Sequence, residues 1–583
     1  MLFSSMYRLN VVHRTGFIMV LSRYFVLYWL GLFGAGFALA APSVPKQVLD
    51  NGLVYCTHSL PVSLNPQTAD IGTNTNIVAD QIYNKLFELS GNDNHVVPSL
   101  ATSYYLSTDG RTITINLRRG VKFHKTEWFT PTRDFNAEDV VFSLNRIIGK
   151  NDGIFPADEN VNTNSSKVSQ YALFNEKAKN KHFPYFESIR LRNKIESVVA
   201  INPYQVQIHL VSPDASVLSH LSGPNAVILS YEYALQLNAD DNLAQLDTLP
   251  VGTGPYQLKS YFRDRNVRLV RNDEYWGERA NIKNVVIDVS TTKTGRLAKF
   301  LNGECDIVAF PDASQLKLLN ERLPSVRISV SDSMNLAFVA LNMKRQVMQN
   351  VDTRRAIAFA INRQRIIKHI YYGTAKVAQS IIPQISWASR FNATAFDYDY
   401  DPEKARSLLT NKNLTLSFWV IDEEQVYDPN PIKMAEMIKY DLAKVGIKVN
   451  IKVVSYNFLK KRVEEGKDDY DMILTGWVTN NLDPDSFLRP ILSCPSQSTI
   501  SNLSSWCHPP MDALLVKALQ TDVQLLRSLD YDMAQQIIVR QVPIIPIATV
   551  NNVLVANNRV AGINMTPFGN IHFRALSLNE VQK

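Results

Sequence analysis

The sequence has little excess charge, few cysteines and no long apolar run beyond residues 1–40. Its 583 residues carry a formal net charge of +7, and Arg8, Arg14 and Arg23 near the N-terminus account for +3 of it, which leaves +4. So small a surplus over so long a chain gives no indication of nucleic-acid binding. The length is more than one domain requires, and the apolar content is sufficient for more than one large core.

Sequence motifs of catalysis and of metal binding are also missing. The chain has no Gly-x-Ser-x-Gly elbow, no Walker loop, no His-Glu-x-x-His helix and no lone reactive thiol. Its ten histidines are scattered without the spacing of metal or haem ligands, so neither a metal nor a cofactor is expected. Asp483 and Asp485 could serve glycoside chemistry, but nothing marks a partner geometry for them. These absences favour a binding protein over an enzyme.

Residues 1–40 have the pattern of a cleavable signal peptide. Residues 24–37 are apolar apart from glycine, they follow Arg23, and they lead into Ala38-Leu39-Ala40. A basic flank, a short apolar core and an A-x-A site are typical of export, and the apolar core is too short to span a bilayer comfortably. We therefore predict cleavage before Ala41 and a soluble mature chain in the periplasm. No cysteine stands at the cleavage site, so no lipid anchor is expected, and a translation start at Met19 stays open.

Four cysteines follow the predicted cleavage site: Cys56, Cys305, Cys494 and Cys507. Export places them in an oxidising compartment, and an even number favours two disulfides, for which three pairings exist. The last two lie close together in the sequence across a turn-rich stretch, which favours a local bridge and leaves the first two to pair with each other. A zinc site is the alternative, but the tight C-x₂-C spacing of such sites is absent.

A polar stretch over residues 150–181 reads as a long surface insertion. It is rich in Asn, Ser, Lys and Asp and poor in apolar residues, which is typical of a solvated loop. Its alternating lysines Lys177, Lys179 and Lys181 could contact an anionic partner, but no motif indicates one.

The most diagnostic stretch of the chain combines a β-hairpin with a capped helix. Residues 100–124 read as two strands joined at Asp109-Gly110, and the helix over residues 136–146 opens with Asn136 and Asp139 in the pattern of a capping box. This run resembles the extracytoplasmic family 5 solute-binding proteins, which are the peptide and nickel receptors of ATP-binding-cassette (ABC) importers. Further stretches typical of that family follow in order along nearly the whole mature chain: residues 251–256, 271–277, 302–306, 353–363 and 401–405.

Within the family, four stretches resemble a branch of periplasmic peptide receptors linked to antimicrobial-peptide resistance: residues 125–133, 294–299, 483–487 and 566–570. The resemblance implies an α/β fold with two lobes and two crossing segments, as in the large periplasmic binding proteins. Lobe I would comprise residues 41–331 and 551–583, with an extra subdomain, and lobe II residues 332–550. The resemblance also implies a monomer that closes around a peptide by a hinge motion and docks on an inner-membrane ABC permease.

The second half of the chain predicts a parallel βαβ unit. Residues 414–421 and 447–453 read as strands on either side of a helix over residues 434–445. Residues 472–474 read as a further strand, after which Gly476-Trp477 would turn the chain. Ligands of open α/β sheets lie at the carboxyl ends of strands, where the loops leave the sheet.

Two polar loops, residues 422–430 and 476–485, leave such strand ends, and we expect them to face one ligand. Taken singly, a solvated acidic turn or an Asp-Pro loop would explain most of their residues about as well. The candidate ligand-binding residues are Trp419, Asp422, Glu423, Glu424, Gln425, Tyr427, Asn430, Gly476, Trp477, Asn480 and Asp483.

Two of these positions depart from the pattern of dipeptide-binding relatives. Those relatives hold the ammonium of the ligand with an Asp after the Gly-Trp pair and its carboxylate with an Arg before a Tyr-x-Pro-Asn run. The matching residues here are Asn480 and Gln425. A buried charge without a counter-charge is costly, so tight binding of free dipeptides is not expected. Longer peptides can use backbone contacts instead, and Asp422, Glu423 and Glu424 would attract cationic ones.

Other functions stay open on the sequence alone. A haem or metal-complex receptor would share the fold, and visible absorption of the purified protein would reveal haem. A periplasmic hydrolase or a chaperone is the alternative from another class, and turnover of peptide would support the hydrolase.

Overall fold

The structure is a computed structural model, and it describes residues 51–58, 63–68, 73–90, 95–149, 181–262, 265–290, 292–323, 325–391, 394–410, 413–497 and 499–579. The predicted signal peptide, its cleavage site and residues 150–180 of the predicted insertion lie outside the described residues.

The strands and helices of the described residues are numbered here along the chain. The strands are β1 (Leu53–Thr57), β2 (Phe87–Leu89), β3 (Val96–Pro98), β4 (Ala101–Leu106), β5 (Thr112–Leu117), β6 (Ile195–Asn202), β7 (Gln205–Leu210), β8 (Tyr256–Phe262), β9 (Asn266–Arg271), β10 (Asn284–Val289), β11 (Ile307–Ala309), β12 (Arg327–Ser331), β13 (Asn335–Leu341), β14 (Ala375–Val377), β15 (Thr415–Ile421), β16 (Lys448–Val454), β17 (Met472–Val478), β18 (Ile544–Val550), β19 (Asn552–Ala556), β20 (Val560–Ala561) and β21 (Ser577–Leu578).

The α-helices are α1 (Thr73–Ile82), α2 (Ala137–Ile148), α3 (Pro184–Ser188), α4 (Leu191–Lys194), α5 (Val217–Ser222), α6 (Tyr231–Ala239), α7 (Lys293–Leu301), α8 (Ala313–Arg322), α9 (Gln346–Gln349), α10 (Val351–Ala360), α11 (Arg363–Ile366), α12 (Pro402–Leu408), α13 (Pro431–Lys444), α14 (Tyr456–Glu464), α15 (Asp485–Leu492), α16 (Pro509–Leu519) and α17 (Gln524–Gln541). Short 3₁₀ turns lie at Pro66–Thr68, Leu243–Asp247, Trp387–Phe391, Cys494–Ser496 and Phe573–Ala575, and a π turn lies at Ile367–Tyr371. Within the described ranges, no helix combines the length and the apolar character that crossing a membrane requires.

A first sheet of seven strands gathers both ends of the described chain. Its strand order is β12-β19-β11-β1-β10-β9-β8, and the fully buried β1 runs parallel to both β10 and β11. Because β1 lies in the middle and β19 comes from the C-terminal end, the core of this half draws on residues 53–309 and on residues 554–576.

The predicted hairpin and capped helix form a smaller layer beside the first sheet. Strands β4 and β5 pair antiparallel and continue into a four-stranded sheet with the order β4-β5-β7-β6. In α2, Asn136 accepts from the Glu138 N–H and Asp139 accepts from the Asn136 N–H, so the predicted capping box is present. This sheet and helix are the predicted extra subdomain of the first lobe.

The second sheet contains the predicted βαβ unit. Its order is β14-β18-β13-β17-β15-β16, and β15 runs parallel to both β16 and β17. Helix α13 connects β15 to β16, buries Met434, Ile438 and Leu442 against the sheet, and is followed by Gly446 at a φ of +87°. A positive φ of this kind favours glycine after a helix, as the sequence pattern indicated.

The predicted turn at Gly476-Trp477 is wrong. Both residues are part of β17, which runs on to Val478. The strand continues because its other neighbour, β13, pairs with it as far as Asn335 opposite Val478. The loop that leaves this strand end therefore begins at Thr479.

Along its described residues, the chain passes between the two sheets twice, after Ser331 and after Val550. The two crossings lie side by side, because Asn335 donates to the carbonyl of Val550 at 2.9 Å and accepts from its N–H at 2.8 Å. Two sheets joined by a double crossing form the two-lobed α/β fold expected from the motifs. The residue limits proposed for lobe I and lobe II stay a prediction.

Both predicted disulfides are present. Cys56 at the centre of the first sheet pairs with Cys305, at a Cα–Cα distance of 6.0 Å, and Cys494 pairs with Cys507 at 4.4 Å. The first bridge joins β1 to the turn that leads into β11.

Candidate ligand-binding site

The two predicted loops leave neighbouring strands of the second sheet, and the first of them packs on β17, the strand from which the second loop starts. Strands β15 and β17 are parallel partners, so the loops at residues 422–430 and 479–485 start at the same sheet edge. The ring of Tyr427 lies on the backbone of Gly476, where a Cβ atom would come within 2.3 Å of Tyr427 Cδ2. Only glycine permits this approach. That the loops share one ligand stays a prediction.

The loop at residues 479–485 is held rigidly by its own polar groups. Asn481 Oδ1 accepts from the Asp483 N–H at 2.9 Å, and Asp483 Oδ1 accepts from the Asp485 N–H at 3.0 Å. Asp483 also accepts from Arg527 Nη2 at 2.9 Å, and both side chains are at most 5% exposed. The carboxylate of Asp483, predicted as a ligand contact, is thus engaged by the protein itself.

The same loop contacts the other half of the molecule through its two asparagines. Asn480 Nδ2 donates to Asn225 Oδ1 at 3.1 Å. Asn481 Nδ2 donates to Tyr185 Oη at 2.9 Å and to His220 Nδ1 at 3.0 Å. Tyr185 belongs to the core of the first sheet, and these residues are buried. We call these contacts the asparagine bridge.

Ion pairs lie beside the asparagine bridge. Lys194 Nζ is 2.6 Å from Asp214 and 3.4 Å from Asp485, which is also paired with Arg489 at 2.8 Å. Burial alone would raise the pKa of Asp485, but the charges of Arg489 and Lys194 outweigh it and hold that pKa well below its usual range. A charged carboxylate therefore joins α15 to Lys194 of the other half.

The acidic residues at residues 422–424 are exposed, and one of them has a partner. Glu424 Oε2 lies 2.8 Å from Lys293 Nζ, and Lys293 begins α7 beside the first sheet. Asp422 and Glu423 remain as exposed charges at this loop. Any long-range attraction of cationic ligands would rest on these two side chains.

The second part of that loop is a tight turn. Gln425 and Asp428 exchange backbone hydrogen bonds at 2.9 and 3.0 Å, and Asn430 caps α13 by accepting from the Lys433 N–H at 3.2 Å. Burial raises the pKa of Asp428 to about 7. The predicted ligand residue Asn430 therefore has a structural partner, and Gln425 is half-buried beside it.

The two predicted tryptophans differ in their surroundings. Trp419 is 1% exposed and packs against Tyr470, with ring centroids 5.3 Å apart, while Lys452 Nζ lies 4.4 Å from its ring centroid. Its ring is part of the core rather than an open ligand surface, because β15 lies between β17 and β16 and its side chains belong to buried clusters on both faces of the sheet. Trp477 is half-buried and donates from Nε1 to the Ser486 carbonyl at 3.1 Å.

Sequence reasoning missed the partners of this site in the first half of the chain. Asn225, Tyr185 and His220 stand in no recognisable motif, and each is far away in the sequence from its partner in the asparagine bridge. Among the described residues, no group of three His, Cys, Asp or Glu side chains has the arrangement of a metal site.

Comparison with known proteins identifies the family. Residues 95–499 match the family described as "Bacterial extracellular solute-binding proteins, family 5 Middle". The chain belongs to this family. It is 51% identical over 537 residues to "Peptide transport periplasmic protein SapA" of Haemophilus influenzae, which covers 92% of this chain and 95% of that protein. The resemblance inferred from the sequence motifs is confirmed.

Two further matches name a ligand of the similar protein. The chain is 33% identical over 543 residues to "Heme-binding protein A" of Haemophilus influenzae, which covers 92% of this chain and 94% of that protein. The crystal structure of a dipeptide-binding protein from a Pseudoalteromonas species in complex with Met-Leu is 35% identical. It superposes with a TM-score of 0.76 and covers 90% of this chain and 100% of its own.

We expect acid to weaken the fold of this family 5 protein through His220. Burial, with a smaller contribution from Lys194, lowers the pKa of His220 to about 4, whereas an unfolded histidine titrates near 6.5. The unfolded chain therefore binds the proton more tightly, so the contribution of His220 is complete above pH 6.5 and is lost as the pH falls towards 4. Between pH 7 and pH 4.5 the loss is about 2–3 kcal/mol.

Urea unfolding of the wild-type protein and of His220→Gln at the two pH values measures this effect. Between pH 7 and pH 4.5, the free energy of unfolding of His220→Gln should fall by about 2–3 kcal/mol less than that of the wild type. His182→Gln is the matched control, because His182 is an exposed histidine. Equal acid losses in the wild type and in His220→Gln would contradict the expectation.

Proposed function

We propose that this protein is the periplasmic receptor of an ABC peptide importer, which closes around a peptide and delivers it to the inner-membrane permease. The observation that carries the proposal is the asparagine bridge, in which the loop after β17 meets Asn225 and Tyr185 of the other half. A site built from both halves responds to closure, since a ligand that contacts both lobes favours the closed form by its differential affinity. Family membership and the peptide-named relatives support the same function.

The double crossing supports a hinge. In the described part of the chain, two short segments connect the sheets, and they are tied together by the Asn335–Val550 hydrogen bonds. Rotation about such a pair moves the halves as rigid bodies and leaves each core intact. The lobes are expected to separate at the asparagine bridge.

The ligand class follows from the charges at the strand-end loops. Asn480 and Gln425 are neutral, so neither offers a counter-charge to the terminus of a free dipeptide. Peptides longer than two residues can bind through their backbone amides instead. The exposed Asp422 and Glu423 favour cationic ones and make their affinity fall as the salt concentration rises.

A second candidate function is that of a haem receptor. It is supported by the name of one relative, "Heme-binding protein A". The visible absorption of protein purified after incubation with haem separates the two candidates. A shifted, stoichiometric haem spectrum that survives gel filtration would support the haem receptor. Peptide found in the same preparation would support the peptide receptor.

Restoring the two missing charges is expected to create dipeptide affinity. In the double variant Asn480→Asp with Gln425→Arg, each charged hydrogen bond to a ligand terminus contributes about 1.5–3 kcal/mol, so calorimetry should detect at least about a tenfold gain for zwitterionic dipeptides. The wild type should bind dipeptides weakly and cationic peptides of four or more residues more tightly.

The matched control makes the same change of charge at exposed positions, Asn558→Asp with Gln520→Arg. It should bind like the wild type. Tight, salt-insensitive dipeptide binding by the wild type would overturn the ligand class. Mass spectrometry of molecules released by denaturing the purified protein tests the function directly, since peptides should be among them.

A further inference from the structure

A cavity of about 200 Å³ lies next to the asparagine bridge. Asp80 and three segments of the chain line it: residues 85–90, residues 222–224 and residues 564–575. Its place beside the bridge follows from Gly223, where an added Cβ atom would lie 3.5 Å from the carbonyl oxygen of Asn480. Pockets that enclose drug-sized ligands have volumes of roughly 300–1,000 Å³. This cavity is smaller, and it has room for a group about the size of one amino-acid residue.

Arg574 stands out among the charged residues of this cavity. Its side chain is half-buried, and its guanidinium donates from Nη1 to Tyr275 Oη at 3.4 Å. Among the described residues, no carboxylate lies within 4.0 Å of it. A guanidinium carries five N–H donors in a planar fork that matches a carboxylate. Most of the donors of Arg574 are therefore left for another group.

The other cation of the cavity is already paired. Lys85 Nζ lies 2.9 Å from Asp80 Oδ1, and Asp80 Oδ2 accepts from Asn570 Nδ2 at 2.9 Å. Burial would raise the pKa of Asp80, but the charge of Lys85 outweighs it and the net pKa is lowered, so the pair remains ionised. Arg574 is thus the cation that a ligand can reach.

One carboxylate in the cavity balances the charge of Arg574 at a distance. Glu88 accepts from Ser99 Oγ at 2.7 Å and forms no ion pair with Arg574 within 4.0 Å in the described part of the chain. Glu88 and Arg574 therefore present opposite charges to the same small volume. With Lys85 paired to Asp80, the cavity itself therefore carries no net charge, and the guanidinium of Arg574 is what it offers to a carboxylate as a direct partner.

We propose that this cavity binds a carboxylate of the ligand through a bidentate contact with Arg574. The assignment rests on the proposed function, because it takes the ligand to be a peptide, and it supplies the positive charge that Gln425 lacks. The carboxylate is either the C-terminus of the peptide or an acidic side chain, and both present the same planar acceptor.

The probe is a set of synthetic tripeptides made twice, once as free acids and once as C-terminal amides. The wild type should bind the free acids at least about tenfold more tightly than the amides, as measured by calorimetry. Arg574→Gln should abolish this preference, and Arg574→Lys should retain part of it, since lysine keeps the charge but loses the fork. Tripeptide amides that contain one glutamate form the third set of probes. If the cavity binds a side-chain carboxylate, these amides should bind more tightly than amides without glutamate, and Arg574→Gln should abolish the difference.

Arg111→Gln is the matched control, because Arg111 is an exposed arginine on the β4–β5 hairpin. Equal unfolding temperatures of all variants would exclude a folding defect as the cause. A free-acid preference that persists in Arg574→Gln would overturn the carboxylate assignment and leave the proposed function intact. So would equal binding of acids and amides by the wild type together with no gain from a glutamate side chain. Failure of every peptide form to bind the wild type would instead contradict both.

Discussion

Replacing Asp483 with alanine is expected to lower the free energy of unfolding by about 3–5 kcal/mol, because it leaves the buried Arg527 without its carboxylate. The guanidinium would keep Ala518 O and Tyr531 Oη as acceptors, at 2.9 and 3.1 Å, but neither carries a counter-charge. The Asp485 N–H would also lose its acceptor. Urea unfolding followed by circular dichroism measures the change.

The control for this variant is an ion pair on the surface. Asp273 and Arg279 lie 2.7 Å apart with side chains 56% and 62% exposed, and exposed pairs contribute at most about 1 kcal/mol. Arg279→Ala should therefore change the stability little, since Asp273 keeps Arg271 as a partner at 2.8 Å. A loss in Asp483→Ala as small as that in Arg279→Ala would show that burial does not decide the value of this pair.

Removing the long disulfide should have an effect of similar size. The Cys56–Cys305 bridge closes a loop with a sequence separation of 249 residues. In a chain-entropy treatment, replacing both cysteines with alanine costs about 5 kcal/mol, because the unfolded chain regains the freedom that the bridge removes. Denaturation of the double variant under non-reducing conditions measures this loss.

The local disulfide provides the matched comparison. Cys494 and Cys507 are separated by 13 residues, for which the same treatment gives about 3 kcal/mol. The order of the two losses is therefore the decisive result. A larger loss from the short bridge would show that strain or residual structure, rather than loop length, governs these disulfides.

The sequence predicted the parts of the fold that rest on local signals. The capping box at Asn136 and the apolar face of α13 are patterns within one element, and the parallel unit follows from its strand–helix–strand order. The disulfides followed from a count of four cysteines and one short separation. Each of these predictions depends on residues close to one another in the chain.

What the sequence could not supply depends on contacts between distant segments. Gly476 and Trp477 read as a turn because Gly-Trp is followed by a polar run, yet pairing with β13 keeps them in a strand. Trp419 read as a ligand surface, whereas packing against Tyr470 places it in the core. The role proposed for Arg574 rests on the absence of a carboxylate partner near it among the described residues, which no local sequence pattern records.

The asparagine bridge has a consequence for selectivity. Its hydrogen bonds join protein groups to protein groups, Asn480 to Asn225 and Asn481 to Tyr185 and His220. Each neutral hydrogen bond of this kind contributes about 0.5–1.5 kcal/mol, and the sum is the same whichever peptide is enclosed. Discrimination between two ligands is the difference of their affinities, so a common contribution cancels. On the proposed closure at the bridge, these bonds strengthen the capture of every peptide equally, and a receptor that relies on them accepts many sequences.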